Sequence, residues 1–539
     1  MRGLMMDFPL TVAALVERAG GIFGKVELVT RRPDRSLART TWAQVCARSR
    51  RLASALTSLG LQRGDRVASL LWNQTEHIEA YLGVPIAGGV LHTLNLRLHP
   101  DELSFIANHA GDRFLIIDDV LLPVYEKIRH NVKFERVIVV PFGGCPIPPR
   151  SDNYEDLLAG AADDFDDPKL DENEAAVLCY TSGTTGRSKG VVYSHRAVVL
   201  HSLNCCAVDS FAFSMRDTVL PMSSMFHANG WGVPFTAALA GSKVVMPGPY
   251  ADAEGILDLM VQERVTVSLG VPTVWFGVLD ALERNPGRWK FSWPVRLLVG
   301  GAAASEALMR GFDRHGVTLI SMWGMTETAP HAAGSHLRPH MNAWAEDQKY
   351  GQRLKQGMPT MFVEARIMQA DGTCAPHDGA TIGEIEVRGP WVAAAYYNMP
   401  EESQKWSPDG WLRTGDMGHI DEDGYIKLVD RSKDLIKSGG EWISSVDLEN
   451  ALMAHPAVKE AAVIGVPHPK WQERPLAVVV LHDGLQAAPE ELREFLAAKF
   501  AKWQLPDAFV FVAEIPRTSV GKFRKTALRA QFADWKWEA

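Results

Sequence analysis

At 539 residues, 46% hydrophobic and 22% charged, the chain has the composition of a globular protein and exceeds what one hydrophobic core can organise, so two or more domains are expected. A net charge of −8 supplies no global basic field and excludes a general nucleic-acid binder. The longest apolar run, 81–91, is broken by Pro85, Gly88 and Gly89 and falls short of the ~18–20 residues that cross a bilayer, while Asp7 and Pro9 interrupt any signal-peptide pattern.

The first readable elements are a helix, a strand and a helix over 41–90. Val45, Leu52, Leu56 and Leu59 share one helical face, and Gly60 stands where that helix should stop. Residues 67–71 read as a strand, and Asn73 as the cap of a helix running through His77 and Tyr81. The six cysteines, Cys46, Cys145, Cys179, Cys205, Cys206 and Cys374, form no Cys-x-x-Cys pair and read as reduced thiols of a cytoplasmic enzyme.

After the strand-like 175–178 comes Tyr180-Thr181-Ser182-Gly183-Thr184-Thr185-Gly186-Arg187-Ser188-Lys189-Gly190. Glycines let backbone N–H groups turn inward around an anion, hydroxyls add donors and Lys189 adds a point charge. This is a polyphosphate cradle. It is not the common P-loop, because no Gly-Lys-Ser/Thr occurs anywhere in the chain.

Strand-then-helix spacing returns at Thr218–Pro221, Lys243–Met246, 265–269 and Val295–Val299, which predicts helices packed on mainly parallel sheets. From Gly357 the pattern changes to alternation at 363–367, 384–387 and 425–428 with a turn at Asp371-Gly372, the mark of a small antiparallel sheet or barrel. It changes again near Arg431. Strands at 461–466 and 476–481 and a helix opening at Pro489 describe a small α+β unit. The fold expected is therefore α/β: a large domain over 1–430 with a β-rich, barrel-like subdomain over 357–430, then a small domain over 431–539, for which the resemblance given below implies mobility.

Other short motifs lie along this framework: Asn95-Leu96-Arg97-Leu98, Phe226-His227-Ala228-Asn229-Gly230-Trp231-Gly232, Gly300-Gly301-Ala302-Ala303, Trp323-Gly324-Met325-Thr326-Glu327-Thr328, Arg413-Thr414-Gly415-Asp416, the run from Asp430 through Lys433 and Lys437 to Gly439-Gly440-Glu441-Trp442, and Pro516-Arg517-Thr518-Ser519-Val520-Gly521-Lys522. With the 180–190 loop, the set resembles the acyl-adenylate-forming superfamily of acyl-CoA synthetases, luciferases and peptide-synthetase adenylation domains, in family order over most of the chain. Within it the chain looks most like bacterial medium- and long-chain fatty acyl-CoA synthetases and the related methylthiopropionate-CoA ligases.

The resemblance implies a function: ATP, Mg²⁺ and a carboxylic acid give acyl-AMP and pyrophosphate, and coenzyme A then takes the acyl group. It implies that Thr181, Ser182, Gly183, Thr184, Thr185, Gly186 and Lys189 hold the phosphates. Gly301, Ala302 and Ala303 would form one wall of the adenine slot, which Trp323, Gly324, Met325 and Thr326 close. Asp416 and Arg431 would take the ribose and phosphate, and Glu327 with Thr184 the Mg²⁺, a hard cation that uses few protein ligands. Lys522 would bridge the acyl carboxylate and the α-phosphate, two anions that must meet. His227 would lie at the carboxylate end of the acid.

Trp231 matches a gating indole, though by itself it reads nearly as well as core. Lys433 would be the hinge, and Lys437, Gly439, Gly440, Glu441 and Trp442 would line the channel for CoA. Two departures stand out. Trp323 takes a place where many members have Tyr. Ser188 takes one where many have Pro, which should loosen the phosphate loop. The resemblance also raises a homodimer and four competing readings: a ligase for a short acid such as 3-methylthiopropionate, an enzyme loading an acyl carrier protein, a luciferase-like oxygenase and an acyl-AMP sensor.

Overall fold

The computed structural model describes residues 1, 3–162, 165–181, 187–431, 433–438, 441–518 and 522–537, with Glu441 as backbone only. Two mainly parallel sheets carry most of the chain. The first runs in the order Asp152–Asn153, Arg136–Val140, Asp112–Asp118, Arg66–Leu70, Val90–Thr93, Ala175–Tyr180, Gly190–Ser194, parallel except at its last pair. The second runs Met358–Pro359, His331–Gly334, Val317–Gly324, Val295–Val299, Val267–Gly270, Thr218–Pro221, Lys243–Met246, Glu27–Arg31, Leu37–Thr41 and is antiparallel only at its two ends. Their central strands are buried on both faces, as parallel strands flanked by helices must be.

The helix Thr75–Ile86 explains how the sheets meet. Every one of its residues is buried, and it packs against strands of both sheets. A helix in that position has no solvated face, so its polar residues need partners. Glu79 accepts from Arg48 at 2.6 Å and from the Tyr154 hydroxyl at 2.8 Å, and Glu76 pairs with Arg32 at 2.7 Å. The expected Asn73 cap is not formed. Gln74 is the residue before the first turn, and the Asn73 amide instead donates to the carbonyls of Pro221 and Ser223 and accepts from Met225 N–H. The competing tie won because the loop it holds would otherwise leave buried backbone groups unpaired. The preceding helix, Trp42–Ser58, opens with a Thr41/Gln44 capping box and ends before Gly60 at φ +93°.

The β-rich segment is an open antiparallel sheet of Glu364–Met368, Gly383–Arg388, Leu412–Ile420 and Ile426–Arg431, whose edge strands do not pair with each other, so it is a sheet rather than the barrel. Beyond it, Val458–His468, Gln472–Leu481, Ile436–Ser438 and Glu441–Ile443 pair antiparallel, and Ala508–Phe511 adds parallel to Gln472–Leu481. Leu448, Leu452, Leu492 and Leu496 cover one face of this last sheet, and Leu528 lies on the other. The chain is thus a mixed α/β protein with two large parallel sheets and a smaller α+β unit at its C-terminal end.

Candidate active site

The loops singled out in the sequence leave the carboxyl ends of parallel strands, where open α/β sheets place their ligands. Ala175–Tyr180 runs into the 181–189 loop, Thr218–Pro221 into His227, Val295–Val299 into Gly300-Gly301, and Val317–Gly324 into Met325–Thr328. Gly324 has no room for a side chain: a Cβ would lie 1.6 Å from the Pro330 carbonyl oxygen.

At the end expected to take the phosphates, Thr181 and Lys189 are hydrogen-bonded to each other. Thr181 N–H donates to the Lys189 carbonyl at 2.9 Å, and Lys189 N–H to the Thr181 hydroxyl at 3.0 Å. Ser182, Gly183, Thr184, Thr185 and Gly186 lie outside the described residues. Ser188 N–H donates to Glu102 at 3.1 Å, a contact proline at this position could not make. The Lys189 ammonium pairs with Glu402 at 2.6 Å and lies 5.1 Å from the Tyr396 ring centre.

At the end expected to take the nucleoside, Asp416 and Arg431 are a cross-strand pair of the antiparallel sheet and form an ion pair at 2.7 Å. The other Asp416 oxygen accepts from the Trp323 indole N–H at 3.0 Å, so the residues expected at the adenine and at the ribose are joined directly. Tyrosine at position 323 would present no N–H at that place. Glu327 is buried beside this cluster and accepts from the Tyr396 hydroxyl at 2.5 Å. Burial, with the Glu327 charge adding to it, pushes the Tyr396 phenol upward, so that it stays a donor. Lys405 is half-buried near the same carboxylates, and burial lowers its ammonium.

Lys522 reaches this cleft from the C-terminal unit. Its Cε lies 3.6 Å from where a Cβ on Gly301 would sit, and it feels Arg431, Asp416 and Glu327. Desolvation first, then Arg431, push its ammonium down to about 8. His227 is half-buried within reach of the Lys522 charge; burial and that cation lower it to about 3, so its imidazole is neutral and can donate to a carboxylate without carrying charge. A cavity lined by Thr93, Asn95, Tyr180, Thr181, Phe226 and His227, among others, joins the phosphate loop to His227. Ala302 is exposed and Ala303 half-exposed.

Trp231 is buried among Phe211, Phe213, Val219 and Met322, and its ring lies 3.1 Å from a Cβ placed on Gly300. The backbone here is unusual. Ala228, Asn229, Gly230, Trp231 and Gly232 have φ of 35°, 39°, 61°, 56° and 72°, a left-handed turn that carries a bulky indole. Such conformations are unfavourable by roughly 1–2 kcal/mol per non-glycine residue and persist where packing over-determines them.

Other expected residues fall elsewhere. Lys437 and Trp442 are exposed cross-strand partners, with the ammonium 5.3 Å from the indole ring centre. Gly439, Gly440 and the side chain of Glu441 lie outside the described residues. Lys433 sits in the turn that follows Arg431, and burial lowers its ammonium. Sequence reasoning missed Tyr396, Glu402, Lys405 and Glu102. None belongs to a motif, and only long-range packing brings them to the site.

The model of the AMP-binding enzyme family matches residues 24–397, and that of the AMP-binding enzyme C-terminal domain matches 447–522. A long-chain-fatty-acid–CoA ligase of Thermus thermophilus is 48% identical over 98% of this chain and 97% of its own. A 3-methylmercaptopropionyl-CoA ligase of Ruegeria pomeroyi is 44% identical over 99% of both chains. Among solved structures, the anthranilate CoA ligase AuaEII in complex with anthranoyl-AMP superposes with a TM-score of 0.86 at 25% identity, over 97% of this chain and 98% of that one.

Proposed function

We propose that this chain, which belongs to the AMP-binding enzyme family, converts medium- or long-chain fatty acids into their coenzyme A thioesters. It is an ATP-dependent acid–CoA ligase that works through an acyl-adenylate. The observation that carries the proposal is Lys522, held on one unit but placed in a cleft of the other beside Glu327, Asp416, Arg431 and His227. A carboxylate attacking an α-phosphate brings two anions together, and a cation between them stabilises the charge that builds on the phosphorus oxygens.

In the first step a carboxylate oxygen bonds to the α-phosphorus as the bond to the β-phosphate breaks, and pyrophosphate leaves. His227 orients the acid, Asp416 accepts from the ribose hydroxyls, and Trp323 stacks on the adenine. Lys189 exchanges Glu402 for a phosphate, with Thr181 beside it, and Thr184 and its loop neighbours surround the rest. In the second step the unit over 431–539 turns about Lys433 and withdraws Lys522. The CoA thiol, losing its proton, attacks the acyl carbon, and the C–O bond to AMP breaks. The carboxylate of Glu327 fits Mg²⁺ as a hard oxygen ligand. Among the described residues no cluster of three acidic, His or Cys side chains would hold a metal by itself, which suits an ion bound chiefly by phosphates. When bound, Mg²⁺ would neutralise phosphate charge.

The apolar surroundings of Trp231 and the long-chain relative favour a fatty acid. A short sulfur-bearing acid is the second reading, favoured by the 44% identical relative. The test is release of AMP and thioester from ATP, Mg²⁺ and CoA across propionate, methylthiopropionate, octanoate, palmitate and benzoate. A maximum at octanoate or palmitate supports the proposal, and one at methylthiopropionate selects the second reading. AMP release only with a phosphopantetheinylated carrier protein would reject CoA as acceptor. Replacing the indole by Trp231→Ala should change the palmitate-to-octanoate ratio of kcat/KM by about tenfold. An unchanged ratio would return Trp231 to a packing role. Among the described residues no helix is long and apolar enough to span a membrane. We place the protein in the cytoplasm, where ATP and CoA are available and its six unpaired cysteines stay reduced.

A further inference from the structure

We propose that Lys405 is a nucleotide-binding residue, holding the negative charge at the ribose and α-phosphate end that ATP and AMP share. The inference rests on the adenylate-forming reading of this cleft.

The placement comes first. Lys405 ends the short 3₁₀ turn Pro400–Lys405, and a Cβ built on Gly415 would lie 3.4 Å from its ammonium nitrogen. Gly415 stands between Thr414 and Asp416, so the ammonium overlies the segment that carries the ribose carboxylate. The turn is anchored on both sides. Trp406 donates its indole N–H to the Ala393 carbonyl at 2.6 Å and meets Tyr396 edge-on, while Tyr396 donates to Glu327. Glu402, on the same turn, is engaged with Lys189. Lys405 is therefore presented by a fixed segment rather than by a free loop.

The charge balance comes second. Arg431 is paired with Asp416 and Lys189 with Glu402. Glu384 accepts from Gly415 N–H at 2.9 Å. Lys405 lies in the field of Glu327, Glu384 and Asp416, yet among the described residues none of its contacts is a hydrogen bond or ion pair. A lysine usually carries its ammonium out to water along an extended stem. This one is half-buried and faces the nucleotide cleft. An anion entering past Glu327 and Asp416 needs cations not already neutralised, and among the described residues around these carboxylates Lys405 and Lys522 form no ion pair. They differ in one respect: Lys522 departs with the small unit in the second step, whereas Lys405 stays on the large one. Lys405 is thus the cation that keeps AMP bound while the thioester forms.

The experiment is calorimetric titration of ATP and of AMP, separately and without acid or CoA, into the full-length protein and its Lys405→Met and Lys405→Arg variants, with thermal unfolding to check the fold. A charge-assisted contact of this kind predicts about tenfold weaker binding of both nucleotides in Lys405→Met, with Lys405→Arg restoring most of it. Weaker binding of ATP alone would put the ammonium at the β- and γ-phosphates and overturn the shared-end assignment. Unchanged binding of both would overturn the proposal while leaving the adenylate reading standing. A wild-type protein that binds neither nucleotide would sink that reading and this inference with it. If Lys405→Met melts early, Lys405→Arg against Lys405→Gln decides the question by charge alone.

Discussion

Lys522→Ala will lower acid-dependent adenylation by about 10²–10³-fold and leave thioester formation from supplied acyl-AMP within roughly twofold of wild type. The asymmetry follows from position. In this arrangement the Lys522 ammonium lies between Gly301 and the Glu327–Asp416–Arg431 cluster, where carboxylate and α-phosphate would meet. Once the adenylate exists, the mixed anhydride carries its own leaving group and that cation has no further charge to screen. Acid-stimulated exchange of pyrophosphate into ATP reads the first step, and acyl-AMP with CoA reads the second. Equal loss in both would remove Lys522 from its role. The same residue sets a pH dependence. Its ammonium, pushed down to about 8, is charged below that pH and lost as pH rises through it, so kcat/KM for adenylation falls on the alkaline side near pH 8. Lys522→Arg should carry that limb well above pH 9 or thereabouts, since a guanidinium stays protonated.

Lys433→Pro will act the other way, slowing thioester formation by about a hundredfold while adenylation stays within a few-fold. The contacts that join the two sides of this turn show why. Ser444 donates its hydroxyl to the Val429 carbonyl at 2.6 Å, Ser445 N–H donates to Asp430 at 3.0 Å, and Lys427 pairs with Asp447 at 3.2 Å. All three tie the strand Ile426–Arg431 to the first turn of the helix Ser445–Leu452. If the unit over 431–539 turns about Lys433 as proposed, these contacts must break together and the backbone near Lys433 must absorb the rotation. Proline fixes φ near −65° and denies that freedom. Single-turnover measurement should show acyl-AMP accumulating in the variant. A fall in acyl-AMP formation just as large would place the hinge elsewhere.

The sequence by itself determined the fold class, the family and the reaction type. Hydrophobic periodicity separated the parallel-sheet region from the antiparallel segment after Gly357, because side-chain alternation is a local consequence of which faces a strand buries. The loop at 181–189 reads as a phosphate-binding device for the same local reason, since its glycines, hydroxyls and lysine stand in one stretch; residues 182–186 of it lie outside the described residues. Tertiary structure decided the partnerships. Trp323 meets Asp416, Tyr396 meets Glu327 and Glu402 takes Lys189, each across a long stretch of chain, and Lys405 settles over Gly415. Asn73 shows the limit well: as a sequence symbol it fits a helix cap, but the chain spends its amide on the loop at 221–225. A side chain's local neighbours state what it is able to donate or accept. Which group it finally meets depends on how separate elements pack, and no periodicity within one element records that.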